Sequence, residues 1–188
     1  MFDKDILVPK WQYVWDATSH IFSWNSPDDM SYLCERATKA EYIVEIGTYM
    51  GRSAYTMLVA APKAHLWCID PFMVEGTRKC VDYFLRHEIA TGRCEVIQKY
   101  TGEGCSQLAH MSGKIDFIFI DDGHSYADVT KDITCSMPLL RSGGVMCGHD
   151  YESKEVGLPD NAVTQAVKHM LPDYTWPGLG HIWEWQKP

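Results

Sequence analysis

The sequence predicts an α/β fold, in which three layers form a sandwich around a mostly parallel, doubly wound sheet of about seven strands that ends in an antiparallel hairpin. Short apolar runs lie at residues 42–46, 66–70, 94–97, 115–121 and 144–147. Helical patterns separate them at residues 52–61, 75–90, 103–111 and 126–140. Strands that are apolar along nearly their whole length are typical of a parallel sheet covered on both faces.

The two ends of the chain extend this pattern. Ser26 and Pro27, followed by two aspartates, predict the N-cap and first turn of a helix before the first strand. After the fifth strand, residues 161–170 have a helical pattern, and segments 174–176 and 181–185 flank a Pro-Gly turn, which predicts the hairpin. We therefore expect a single domain over residues 26–188.

Residues 1–25 are set apart by three tryptophans, Trp11, Trp15 and Trp24. Large aromatic side chains of this kind pack against the body of a protein, cover a pocket or contact a partner. The sequence leaves open whether this segment is a lid or a partner contact, and a homodimer stays open with it.

Composition excludes several classes of function. The 188 residues include 17 Lys and Arg against 25 Asp and Glu, a net charge of −8, which disfavours nucleic acid and anionic membranes as partners. No apolar run is long enough to span a bilayer, and the first residues lack the pattern of a signal peptide. Seven cysteines without a Cys-x-x-Cys pair indicate free thiols in a reducing compartment, so we expect a cytoplasmic protein.

Polar residues follow the predicted strands at the edge where ligands bind in open parallel sheets. Gly47 and Gly51 form a turn after the first strand that lets the backbone approach a ligand and then enters a helix. The spacing matches neither the dinucleotide-binding glycine motif nor a P-loop. Asp70 ends the second strand, the place from which an acid accepts hydrogen bonds from ribose hydroxyls. Together these features favour an adenosyl ligand without a pyrophosphate.

Four segments resemble the motifs of class I S-adenosylmethionine-dependent methyltransferases, most closely the catechol O-methyltransferase-like group and its small bacterial and phage relatives. They are residues 45–54, 118–126, 139–145 and 148–151, and the resemblance spans about residues 26–186. It implies a Rossmann-like fold and transfer of a methyl group from S-adenosylmethionine to a small molecule, at oxygen.

The resemblance also implies roles for individual residues. Glu45, Gly47, Tyr49 and Ser53 would surround the methionyl part of the cofactor, with Gly51 in the same turn. Asp70 would hold the ribose, Tyr100 or Thr101 would lie near the adenine, and Asp121 would border the cofactor.

In metal-dependent members of the group, acids that end the fourth and fifth strands bind a divalent cation. Those positions match Asp121, His149 and Asp150, with His149 where the relatives carry a carboxylate. Oxygen ligands favour Mg²⁺, whereas an imidazole shifts the preference toward Mn²⁺, Fe²⁺ or Zn²⁺. The alternative is that His149 and Asp150 only hydrogen-bond loop backbone.

His124 occupies the place of the catalytic lysine of the catechol-type enzymes, so the resemblance implies that it is the general base, beside Asp121. A neutral imidazole with an ordinary pKa of about 6.5 suits that role. The alternative is a turn residue that caps the following helix. Two other functions stay open: a metal-dependent hydrolase that uses Asp121, His124, His149 and Asp150, and a noncatalytic adenosyl-binding module.

Overall fold

The computed structural model describes residues 10–152, 162–178 and 180–188. Their strands are β1 (Tyr42–Ile46), β2 (His65–Ile69), β3 (Cys94–Ile97), β4 (Ile115–Ile120), β5 (Leu140–Gly148) and β6 (Trp183–Gln186). They form one sheet of order β3-β2-β1-β4-β5-β6, in which β1 to β5 are parallel and β6 is antiparallel to β5. The predicted α/β class, with a mostly parallel sheet that ends in an antiparallel pair, is confirmed.

The described helices cover both faces of this sheet. They are α1 (Gln12–Thr18), α2 (Pro27–Ala37), α3 (Arg52–Ala60), α4 (Thr77–Phe84), α5 (Arg86–Ala90), α6 (Thr101–Gln107), α7 (Tyr126–Ser136) and α8 (Ala162–Met170), with a short 3₁₀ turn at Ala109–Met111. Neighbouring strand residues belong to different cores: Ile43 lies in the same core as Leu33 of α2, and Val44 lies in the same core as Ile133 of α7. This alternation produces the three layers.

Local sequence explains where the helices that border the site begin. The N-cap predicted before α2 is present and is part of a capping box, since Ser26 accepts a hydrogen bond from the Asp29 backbone N–H and the Asp29 side chain accepts one from the Ser26 backbone N–H. Helix α7 is capped by the Ser125 side chain, which accepts a hydrogen bond from the Asp128 backbone. The cap is therefore Ser125, and His124 lies one residue before it.

The sheet has six strands instead of the expected seven, and the predicted hairpin is reduced. Thr175 forms an isolated antiparallel bridge with Glu184. The pairing stops because Pro177 has no N–H to donate and Gly178 turns the chain with a φ of 75°. Three predicted helices also differ: 75–90 divides at Leu85, 103–111 becomes α6 and the 3₁₀ turn, and 126–140 ends at Ser136 before a proline. Residue 161, the predicted start of α8, lies outside the described residues.

The described part of the N-terminal segment packs against the domain. Trp11, Val14 and Ile21 are buried, and Val14 belongs to the same core as Met57 of α3. In the described ranges, no helix is both long and apolar enough to cross a membrane. All seven cysteines are free, as the sequence predicts.

Candidate active site

A cavity of about 720 Å³ opens at the carboxyl ends of β1, β2, β4 and β5, within the size range of small-molecule sites. The N-terminal segment contributes Phe22, Ser23, Trp24 and Asn25 to its wall. The other lining residues are Gly47, Thr48, Tyr49, Met50, Arg52, Ser53, Asp70, Pro71, Phe72, Met73, Val74, Thr77, Asp121, Asp122, His124, His149, Asp150 and His181.

The turn after β1 depends on glycine at position 47. Gly47 has a φ of +83°, and a Cβ atom there would lie 2.1 Å from the carbonyl oxygen of Asp121. The end of β1 therefore passes directly against the end of β4. Tyr49 also has a positive φ, 49°, and Gly51 at 86° leads into α3. Backbone of this kind is costly for residues other than glycine and is typical of binding sites.

Asp70 holds this turn in place from the end of β2. Its Oδ2 accepts hydrogen bonds from the backbone N–H groups of Thr48 at 2.9 Å and Tyr49 at 2.7 Å. Its Oδ1 accepts one from the backbone N–H of Phe72 at 2.5 Å. A carboxylate accepts about four hydrogen bonds, so Oδ1 retains capacity for one more donor.

Glu45 does not line the cavity, but it is hydrogen-bonded to Ser53, which does. The Ser53 hydroxyl donates to Oε1 of Glu45 at 2.6 Å, and Oε2 has no hydrogen-bond partner among the described residues. Complete burial raises the pKa of Glu45 to about 8, so the side chain is largely protonated at neutral pH.

A cluster of two aspartates and a histidine lies at the ends of β4 and β5. Asp121, His124 and Asp150 each present one ligand atom, and these atoms lie within 4.8 Å of one another. Nε2 of His124 is 3.2 Å from Oδ2 of Asp150, and the Asn25 amide donates to Asp121 at 3.2 Å. Burial raises the pKa of Asp121 to about 6.

His149 joins this cluster to Asp29 of α2. Its Nε2 is 3.3 Å from Asp29, and its Nδ1 is 3.2 Å from Asp150 and 3.7 Å from Asp121. Burial opposes the charged imidazole, but the carboxylates of Asp150, Asp29 and Asp121 outweigh it and raise the pKa of His149 to about 10. The imidazolium therefore balances part of the negative charge of the three aspartates.

Most of the residues predicted from the sequence meet at this cavity. Those that line it are Gly47, Tyr49, Ser53, Asp70, Asp121, His124, His149 and Asp150. Glu45 and Gly51 lie behind the lining, whereas Tyr100 and Thr101 lie outside it. Tyr100 is half-exposed and its hydroxyl contacts the sulfur of Met73, which lines the wall.

The site also includes residues that were not predicted from the sequence, among them Asn25, Asp29, Arg52 and Phe72. Asp29 was visible only as part of a helix cap, although it is buried and accepts hydrogen bonds from the Ser26 and His181 backbones. Asn25 and Arg52 adjoin recognised residues, and Phe72 lies two positions after Asp70. This proximity in the sequence was the available signal.

The doubly wound sheet, the glycine turn and the acidic residues around one cavity agree with what the resemblance to class I methyltransferases implies. The family model described as a methyltransferase domain matches residues 44–151, and the chain belongs to this family. The match extends from the third residue of β1 to just beyond β5, so it contains the glycine turn, Asp70 and the Asp121, His124 and Asp150 cluster.

Solved structures share the fold over nearly the whole chain. The O-methyltransferase from Bacillus cereus in complex with SAH is 18% identical, with a TM-score of 0.66 and coverage of 100% of this chain and 93% of that one. The O-methyltransferase TomG from Streptomyces achromogenes in complex with SAM is 16% identical, with a TM-score of 0.62 and coverage of 100% and 92%. SAH-bound methyltransferase PaMTH1 from Podospora anserina is 17% identical, with a TM-score of 0.65 and coverage of 99% and 89%. A search of curated proteins gave no match.

Proposed function

We propose that this chain transfers the methyl group of S-adenosylmethionine to an oxygen atom of a small molecule. The observation that carries the proposal is that one cavity is lined by both the glycine turn after β1 and the cluster of Asp121, His124 and Asp150. A cofactor site and a polar group for the acceptor thus face the same space. Two solved structures with this fold are complexes with such a ligand, namely TomG with SAM and the Bacillus cereus enzyme with SAH.

The cofactor would lie across the ends of β1 and β2. Gly47 and Tyr49 offer backbone at close approach, and the backbone N–H groups in the first turn of α3, which include that of Ser53, offer donors to a carboxylate. The remaining capacity of Asp70 Oδ1 suits one ribose hydroxyl. Tyr100 does not line the cavity, but its hydroxyl contacts Met73, which does. Tyr100 would therefore act on the adenine through Met73.

His124 is the group that would take the proton of the acceptor hydroxyl. S-adenosylmethionine supplies a methyl group that its positive sulfur already activates. The cavity walls align the acceptor oxygen with that carbon, His124 accepts the hydroxyl proton, and Asp150, 3.2 Å from Nε2, stabilises the imidazolium that forms. Alignment contributes about 7–11 kcal/mol and a positioned base about 10²–10⁴-fold in rate.

A divalent cation fits the same cluster. Asp121 and Asp150 would provide carboxylate oxygens, and His124 would provide a ring nitrogen. With a cation bound, His124 would be a ligand, and the cation would take over its part in removing the hydroxyl proton. His149 was predicted from the sequence as a third ligand, and that role stays a prediction. Both of its ring nitrogens already have a carboxylate nearby. A cation held there would favour the ionised form of an acceptor hydroxyl. Mixed oxygen and nitrogen donors suit Mn²⁺, Fe²⁺ or Zn²⁺ as well as Mg²⁺.

Further proposals concern the cellular compartment and the binding partners. We propose that the protein works in the cytoplasm on a small molecule and not on nucleic acid or a membrane. Its acidic composition and free thiols support this proposal.

Two alternative functions explain the cavity less completely. A hydrolase that uses the same cluster would leave the glycine turn and Asp70 without a role. A noncatalytic adenosyl-binding module would retain the cofactor site but need no base.

The test is isothermal titration with S-adenosylhomocysteine, followed by methyl transfer from S-adenosylmethionine to catechol acceptors. We expect micromolar binding of S-adenosylhomocysteine and none of NAD. His124→Ala should bind it unchanged but lose turnover by about 10²–10⁴-fold, whereas His110→Ala, on the exposed 3₁₀ turn, should behave as wild type. Loss of activity in EDTA with recovery in Mg²⁺ or Mn²⁺ would establish the cation. Absence of S-adenosylhomocysteine binding would overturn the proposal.

A further inference from the structure

Arg52 is a buried cation in the cavity wall for which the described residues provide no anionic partner. It is the first residue of α3, lines the cavity and is 7% exposed. Its Nε and Nη2 atoms are enclosed and have no hydrogen-bond partner, and no carboxylate of the described chain forms an ion pair with it. Burial lowers the pKa of the Arg52 guanidinium. Charged groups held in this way are usually paired.

The guanidinium contacts an aromatic ring of the N-terminal segment. Its central carbon lies 4.2 Å from the centre of the Trp15 ring of α1, a cation–π contact. A guanidinium carries five N–H donors in a planar fork that suits a carboxylate, and Nη1 is not among its enclosed, unpartnered atoms. Among the described residues that line the cavity, Arg52 is the one Lys or Arg, and the ionisable neighbours are aspartates and histidines.

We propose that Arg52 binds a carboxylate of the methyl acceptor, so that the enzyme selects acidic acceptors. This inference rests on the proposed function, and it names the class of substrate. The aspartates of the cavity repel an anion and suit the positive sulfonium. The imidazolium of His149 already faces three aspartates, which leaves Arg52 as the place where an acceptor carboxylate is stabilised.

The position of Arg52 favours the acceptor over the cofactor as the source of that carboxylate. Its contact with Trp15 places it beside the N-terminal segment, which also lends Phe22 and Trp24 to the cavity wall. The methionyl carboxylate of the cofactor has other donors, namely the backbone N–H groups in the first turn of α3, which have no intrahelical partner.

The experiment compares acidic ligands with their neutral amides in protein saturated with S-adenosylhomocysteine. Titration calorimetry would use 3,4-dihydroxybenzoate against 3,4-dihydroxybenzamide, and lactate against lactamide. In the wild type we expect a carboxylate to bind about 10–100-fold more tightly than its amide, the range for charge-assisted hydrogen bonds. Arg52→Met should abolish the difference, and Arg52→Lys should retain part of it because lysine keeps the charge but not the fork.

Arg86→Met is the matched control, since Arg86 lies on α5 outside the cavity wall, and it should keep the wild-type preference. Equal affinities for both members of each pair in the wild type, or no binding of any, would overturn the inference. So would an Arg52→Met variant that loses affinity for S-adenosylhomocysteine but not for 5′-methylthioadenosine, because the carboxylate would then be the cofactor's. Failure of the proposed function would differ, since the wild type would not bind S-adenosylhomocysteine.

Discussion

Replacement of Gly47 by alanine tests whether the contact between the β1 turn and the end of β4 builds the site. Two penalties apply to Gly47→Ala. A residue with a Cβ pays about 1–2 kcal/mol to adopt the left-handed backbone that φ +83° requires. The new Cβ would also lie 2.1 Å from the Asp121 oxygen and 2.6 Å from the Asp122 nitrogen, both backbone atoms that no side-chain rotation can move aside.

The clash adds a cost like that of overpacking, about 1–3 kcal/mol. The expected loss in the free energy of unfolding is therefore about 2–5 kcal/mol. Gly92→Ala isolates the backbone part, because Gly92 has a φ of +74° and a Cβ added there would meet nothing within 4 Å. It should lose about 1–2 kcal/mol. The effect of alanine on the unfolded chain is similar at both positions and cancels in the comparison.

The assay is urea unfolding of both variants, followed by titration with S-adenosylhomocysteine. Gly47→Ala should be less stable than Gly92→Ala by about 1–3 kcal/mol, and the variant that remains folded should bind S-adenosylhomocysteine more weakly. Equal stability losses with unchanged affinity in both variants would refute the argument that this close approach shapes the cofactor site.

Two further predictions concern buried carboxyl groups. The pKa of Glu45 rises from 4.5 to about 8 on folding, so the wild type should lose stability as pH rises through that window, by up to about 1.4 kcal/mol per unit. Glu45→Gln should remove this contribution and so reduce the slope in urea unfolding between pH 5 and pH 8, where Asp121 and His149 also contribute. An unchanged slope would contradict it. Asp70→Asn should weaken three backbone hydrogen bonds, cost about 1–3 kcal/mol and reduce affinity for S-adenosylhomocysteine. Wild-type hydrogen exchange at Thr48, Tyr49 and Phe72 in this variant would argue against that anchor.

Local sequence patterns identified some residues of the candidate site and missed others. Gly47, Asp70 and Asp121 were identified because each directly follows an apolar strand, and parallel strands bring such positions to one edge. Asp29 was seen only as a helix cap. Its contact with His149 joins residues 120 positions apart, and that of Asn25 with Asp121 joins residues 96 apart.

The amino-acid sequence by itself determined the α/β class, the parallel strands and the edge at which the cavity lies, because these depend on the period of apolar residues and on glycine and proline at particular positions. Only the tertiary structure decided that the sheet stops at six strands, that His149 lies between aspartates and that Arg52 contacts Trp15 without an acid to pair with among the described residues. Periodicity specifies which face of an element is buried, whereas the partner of a side chain depends on how distant elements pack, which no local pattern encodes.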